Sequence, residues 1–212
     1  MVQLLQAAGA AASVAHYPNR DIQILGNDLV LPEMVTKVTG LKYADEQLIQ
    51  LAETFPGHEM VSLLATEGFV LVPRPPISLS AYAVYCMCEA GNFGVTARYE
   101  RYKYMRNTPT GAASWFKLRK EVPAATRRKS MADGRCTLSS DEYVPNVADV
   151  AYALTLFKLL GRLLYEEVYA LTATEYTPGC LVGVGMQKGH LSFLPMWKEE
   201  KLRNFGLAVA KR

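Results

Sequence analysis

Between Val168 and Ala210 four short apolar runs follow one another closely: Val168 to Tyr176, Cys180 to Met186, Leu191 to Leu194, and Phe205 to Ala210. Only Thr177-Pro178-Gly179 and Lys188-Gly189 separate the first three. These are turn signals, so this part of the chain is read as three or four short strands in close succession. The best helix stands just before it. Asn146 is its N-cap, and Asp149, at the third helical position, suits the positive end of the helix dipole. Val147, Val150, Ala151, Leu154 and Phe157 follow at helical spacing, which predicts an amphipathic helix weakened at Gly161. The fold class read from this order is α+β, with mixed or antiparallel short strands and two or more helices.

Upstream, Leu48, Ile49, Leu51 and Ala52 mark a helix opening at Ala44-Asp45-Glu46 and stopped by Pro56-Gly57. A second runs from His58 to Thr66 with Gly68 as its C-cap, which makes a helical hairpin. Asp21 to Leu25 alternates like a strand. Phe69 to Val72 reads as a buried strand that leaves through Pro73-Arg74-Pro75-Pro76. Ser80 to Cys88 fits helix or strand, and Gly91 to Gly94 a turn. Val95 to Met105, with Tyr and Arg alternating, and Trp115 to Arg119 read as strands. Lys120 to Arg135 reads as a long exposed loop. The division expected is a helical and strand segment at 1–68 packed on a main domain at 69–212.

Half of the 212 residues are hydrophobic, too many for a disordered tail, and no run reaches the ~18 apolar residues of a membrane span. Four cysteines are too few for a disulfide scaffold, and free buried thiols are expected. The first positive residue is Arg20, so no secretory signal is read and synthesis in the cytoplasm is expected. The net charge of +3 hides an asymmetry. Arg98 to Arg135 holds eleven Lys or Arg against three Asp or Glu, between mildly acidic flanks.

Tests for chemistry return little. His16, His58 and His190 lie far apart, and no zinc spacing occurs, so no metal or cofactor is expected. No GxSxG elbow or paired Cys and His marks a nucleophile, and no catalytic residue is assigned. Gly183-Val184-Gly185 lacks the third glycine of a dinucleotide loop and reads as small residues in a strand. The basic stretch is the exception. Arg98, Arg101 and Lys103 interleave with tyrosines, and Arg127, Arg128 and Lys129 extend the charge, a mixture suited to phosphate attraction and base stacking. Tyrosines packed inward beneath solvated cations would give the same pattern.

The last seventy residues carry an ordered set: Val144-Pro145-Asn146 opening a helix, then Thr172 to Tyr176, then Val182 to Gly185, Trp197, and Phe205 to Ala210. That order resembles the C-type lectin-like fold, in the branch shared by formylglycine-generating enzymes and the variable proteins of diversity-generating retroelements. The branch's Trp in the helix opening is missing here, with Val150 in its neighbourhood, and its closing Phe-Arg is replaced by Leu207-Ala208. Cys180 stands alone in this part, so the catalytic arrangement of the formylglycine enzymes is not carried over.

The resemblance implies a non-enzymatic scaffold that binds a macromolecular or cell-surface ligand, with a diversifiable face at about Val182 to Asn204. Virion or cell-surface display is the context it implies. Adenine-directed change of an Asn codon reaches His, Ser, Leu, Pro and Arg, but never Trp, Met, Lys, Gln or Glu. His190, Ser192, Leu194, Pro195, Arg203 and Asn204 are therefore the expected variable contacts, with Trp197 as scaffold or fixed anchor. Two alternatives remain open at this point. One is a nucleic-acid-binding module using Arg98, Arg101, Lys103, Arg127, Arg128 and Lys129. The other is an enzyme of the formylglycine-generating type with a reactive thiol at Cys180 or Cys136.

Overall fold

The computed structural model describes residues 17–90, 103–201 and 203–212. Among them the chain is α+β, with eight α-helices and two four-stranded sheets. The first sheet has the order β1 (Phe69–Pro73), β2 (Trp115–Arg119), β8 (Ala210–Lys211), β3 (Glu142–Tyr143), antiparallel throughout. The second has the order β6 (His190–Trp197), β5 (Cys180–Gln187), β4 (Tyr169–Thr177), β7 (Phe205–Leu207). Here the expected strands β4, β5 and β6 form an antiparallel meander, and β7 joins β4 in parallel. The turns do what their residues require. Gly179 takes φ 82° after Pro178, and Lys188 and Gly189 both take positive φ in the β5–β6 hairpin.

The expected closing strand from Phe205 to Ala210 is paired, but it is split between the sheets. Phe205–Leu207 lies beside β4, and Ala210–Lys211 lies between β2 and β3. This one segment straps the two sheets together.

α8 (Val147–Leu159) begins where the sequence placed it. The Asn146 side-chain oxygen accepts the Asp149 amide at 2.9 Å. Its amphipathic character is not observed: every residue from Val147 to Phe157 is buried. The helix packs against α5 (Ala81–Ala90) and β5, and also touches β2, β4, β6 and α2 (Pro32–Thr39), so no side is left for solvent. α3 (Asp45–Glu53) and α4 (His58–Glu67) form the expected hairpin, with Gly68 left-handed at φ 74°. Leu51, Val61 and Leu64 join the same core as Val150, Leu154 and Phe193.

Four readings need correction. Asp21 to Leu25 is not a strand but most of α1 (Asn19–Leu25), with Asp21 in its first turn. Met105 lies in α6 (Lys103–Asn107), so the strand read over Val95 to Met105 fails at its end, while 95–102 and the Gly91 turn lie outside the described residues. Lys120 to Arg135 is not a solvated excursion. It holds a 3-10 turn at Ala124–Thr126 and α7 (Met131–Arg135), and it buries Val122, Thr126, Met131 and Gly134. Cys86 and Cys136 are exposed, and only Cys88 and Cys180 are buried.

The strap is anchored by charge. Lys211 is buried, with its ammonium 2.6 Å from Glu67 and 3.2 Å from Asp141. Lys211 holds Asp141 below the usual carboxylate range. Burial pushes Glu142 up, but the Ser139 amide and Arg119 outweigh that and hold it low. A depressed carboxylate adds stability above its unfolded pKa of about 4 and loses it as pH falls through the folded value. Thermal unfolding should therefore shift to lower temperature as pH drops from about 6 to about 3. Glu142→Gln should flatten that dependence, and an unchanged midpoint across this range would refute the assignment.

Candidate functional site

The region singled out by sequence is the β5–β6 hairpin and the loop from β6 to β7. Two glycines let β5 pass at close range. A Cβ on Gly185 would lie 2.0 Å from the Val168 carbonyl oxygen, and one on Gly183 would lie 3.1 Å from the Phe205 ring. Gly183-Val184-Gly185 is thus strand, as read, and the glycines serve backbone approach.

β6 is an edge strand, and part of its outer edge is closed. The Lys198 amide donates to Gly179 O on the β5 side, so the residues at 197 and 195 face outward. Glu200 takes up both backbone groups of Trp197: its carboxylate accepts the Trp197 amide at 3.1 Å, and its own amide donates to Trp197 O. Pro195 has no amide to offer.

The structure separates the predicted contacts. His190, Trp197, Arg203 and Asn204 are exposed. Leu194 and Pro195 are half-buried, and Ser192 is buried with its hydroxyl 3.1 Å from the Tyr169 hydroxyl. Strand alternation puts Ser192 and Leu194 on the face toward Phe205, and Pro195 and Trp197 on the other. Tyr169, stacked on Phe205 with ring centroids 5.0 Å apart, donates its amide to Asn204 O at 2.9 Å. Ser192 and Asn204 thus meet through Tyr169, whereas Trp197 sits at the opposite end of the sheet. There it is 55% exposed and rests against Gly179, and the next residue, Lys198, pairs with Glu175 of β4.

Of the basic alternative, Arg98 and Arg101 lie outside the described residues, as does the Lys103 side chain. Arg127, Arg128 and Lys129 are described. The Thr126 hydroxyl accepts the Leu207 amide at 3.0 Å, and Met131 N donates to Lys198 O at 2.9 Å. This stretch is therefore held between Lys198 and β7, the two ends of the segment that carries Arg203. Seventy-three residues of chain separate positions 129 and 203, and nothing in the sequence links them.

Sequence reasoning also missed the largest polar network. Asp149 is buried. It accepts Arg74 Nε and Nη2, each at 3.1 Å, the Gly111 amide at 2.9 Å and the Asn146 side-chain amide at 3.1 Å. Arg74 also donates to Ser114 and lies over the Phe116 ring. The sequence marked its members separately, Asn146 with Asp149 as a helix cap and Arg74 among prolines, but nothing joined them.

Burial pushes the Cys180 thiol up, the opposite of what a thiolate nucleophile needs. A cavity of about 460 Å³ opens between Glu67, Arg119, Glu121, Ala125, Thr137 and Glu142. Arg119 and Glu142 pair across it at 2.9 Å, and Lys120 pairs with Asp28 at 2.8 Å. Among the described residues no group of three His, Cys, Asp or Glu could hold a metal ion, and no helix is long and apolar enough to cross a membrane. Comparison with known proteins finds no matching family model, no matching curated protein and no matching solved structure.

Proposed function

We propose that the chain is a non-enzymatic binding protein of C-type lectin-like class. Its partner, a macromolecule or cell-surface ligand, is met by side chains along β6 and the β6–β7 loop. The observation that carries this reading is Trp197, a large aromatic left more than half exposed at the end of an edge strand and backed by Gly179. Exposed aromatics ringed by polar groups are the usual anchors of protein recognition. Glu200 and Pro195 occupy part of the backbone edge, which favours recognition by side chains over addition of a partner strand. The order of α8, the three-stranded meander and the closing strap supports the class.

The test is genetic. Sequencing the Val182–Asn204 codons in related isolates should show adenine-linked substitution at His190, Ser192, Leu194, Pro195, Arg203 and Asn204, with Trp197 constant. A near-identical template copy should lie beside a reverse transcriptase gene. Substitution spread evenly along the chain, with no template copy, would sink the reading.

A further inference from the structure

We propose that Arg127, Arg128 and Lys129 together with Arg203 form a phosphate-binding surface, whose ligand is the phosphodiester backbone of a single-stranded nucleic acid. This does not rest on the lectin-like reading. It follows from which charges the fold brings together and which it leaves without partners.

The turn that carries the first three cations is pinned at both ends. Behind it, the Thr126 hydroxyl donates to Pro123 O and accepts the Leu207 amide, and a Cβ on Gly206 would lie 3.2 Å from Arg127 Cγ. Ahead of it, Ser130 caps α7 and Met131 bonds Lys198 O. Arg128 between them takes a left-handed backbone at φ 57°, a conformation a non-glycine residue holds only where its surroundings enforce it. Arg203 is exposed and stands two residues before β7, whose Gly206 is the residue packed against Arg127.

The charges are uncompensated. Among the described residues none of these four cations forms an ion pair, whereas their neighbours Lys198 and Lys201 are neutralised by Glu175 and Asp133. The Glu200 carboxylate accepts the Trp197 amide, at the β6 end of the loop. Arg127 adds a second observation: its Nε–H is buried and has no acceptor. A buried donor without a partner is costly, so the Arg127 guanidinium gains a hydrogen bond if it moves outward to meet an anion. Three of the four cations are arginines, whose planar forks suit phosphate oxygens better than a point charge does. A groove of such cations follows a nucleic-acid backbone without reading its sequence.

The test is fluorescence anisotropy with a labelled oligo-dT and the full chain, titrated from about 50 mM to about 200 mM salt. Four phosphate contacts predict a log–log slope near about −3, from about −0.7 per contact on single strands. Arg128→Gln, Lys129→Gln and Arg203→Gln change exposed or half-buried side chains, and each should weaken binding several-fold and reduce the slope by about 0.7. Lys42→Gln, which removes an exposed charge between α2 and α3, should change nothing. Binding of millimolar inorganic phosphate, read by calorimetry, together with little affinity for oligo-dT would assign the same surface to free phosphate instead. Three results would overturn the proposal: no binding to either probe at low salt, equal losses with Lys42→Gln, or equally tight binding of poly-glutamate. None of these bears on the codon test above, so either reading can fail alone.

Discussion

Asp149→Ala should destabilise the protein by about 3–5 kcal/mol, the loss typical of breaking a buried ion pair from one side. The carboxylate is the hub of four hydrogen bonds: two from Arg74, one from the Gly111 amide and one from Asn146. Removing it strands a guanidinium that is itself mostly buried, and it frees the backbone donor at Gly111. Those groups come from the end of β1, the loop before β2 and the start of α8, so three elements lose their common fixed point. Domains of ordinary stability have about 5–15 kcal/mol in all, so the variant should be largely unfolded at moderate urea concentration. Replacing both partners, as in Arg74→Met with Asp149→Leu, should cost less than Asp149→Ala alone, because no buried charge is left unpaired. Equilibrium denaturation of the three variants decides the matter. A loss below about 1 kcal/mol for Asp149→Ala would mean the pair is a surface-like bridge with no structural weight.

Gly185→Ala is the second large effect. The added methyl would sit 2.0 Å from the Val168 carbonyl oxygen and 3.1 Å from its carbonyl carbon. Both are backbone atoms, so no side chain can turn aside, and β5 must move away from the segment entering β4. Overpacking usually costs about 1–3 kcal/mol, and a forced backbone shift belongs at or above the top of that range. Gly183→Ala is the internal comparison. Its methyl would meet the Phe205 ring at 3.1 Å and Leu194 O at 3.4 Å, contacts that a small ring displacement relieves. The expected order in thermal melts is wild type, Gly183→Ala, then Gly185→Ala with the lowest midpoint. A Gly185→Ala midpoint equal to wild type would show that β4 and β5 can separate freely at this point.

The parts legible in the sequence are those fixed by local chemistry. The Asn146 cap with Asp149 three residues on, Gly68 ending α4, and the Pro178-Gly179 and Lys188-Gly189 turns each act within a few residues. What failed depended on neighbours far along the chain. Ile22 and Ile24 among polar residues alternate as a strand would, but seven residues are too few to separate the two periods, and helix formed. α8 was read with a polar face because its spacing is helical. Burial from every side came from α5 and the two sheets, which local spacing does not show. The same limit applies to the site. His190, Trp197, Arg203 and Asn204 are exposed as a contact surface requires, but the burial of Ser192 against Tyr169 needed the register of β4, β5 and β6. The placing of the turn that carries Arg127–Lys129 against β7 needed the strap to bring Leu207 onto Thr126.

The strap also has a kinetic consequence. β2 pairs with residues more than ninety positions further on, and β4 with β7 more than thirty positions further on. As the chain is made, the first sheet therefore waits with β2 open on the side that β8 will fill, and β4 waits for β7. Such sequence-distant pairing slows folding, because the entropy of closing long loops is lost before the contacts that repay it exist. The helical hairpin of α3 and α4, joined by only four residues, can form early and locally. On these separations the helical hairpin should form before the two sheets close, and the surface with Arg203 and Asn204 should be completed last.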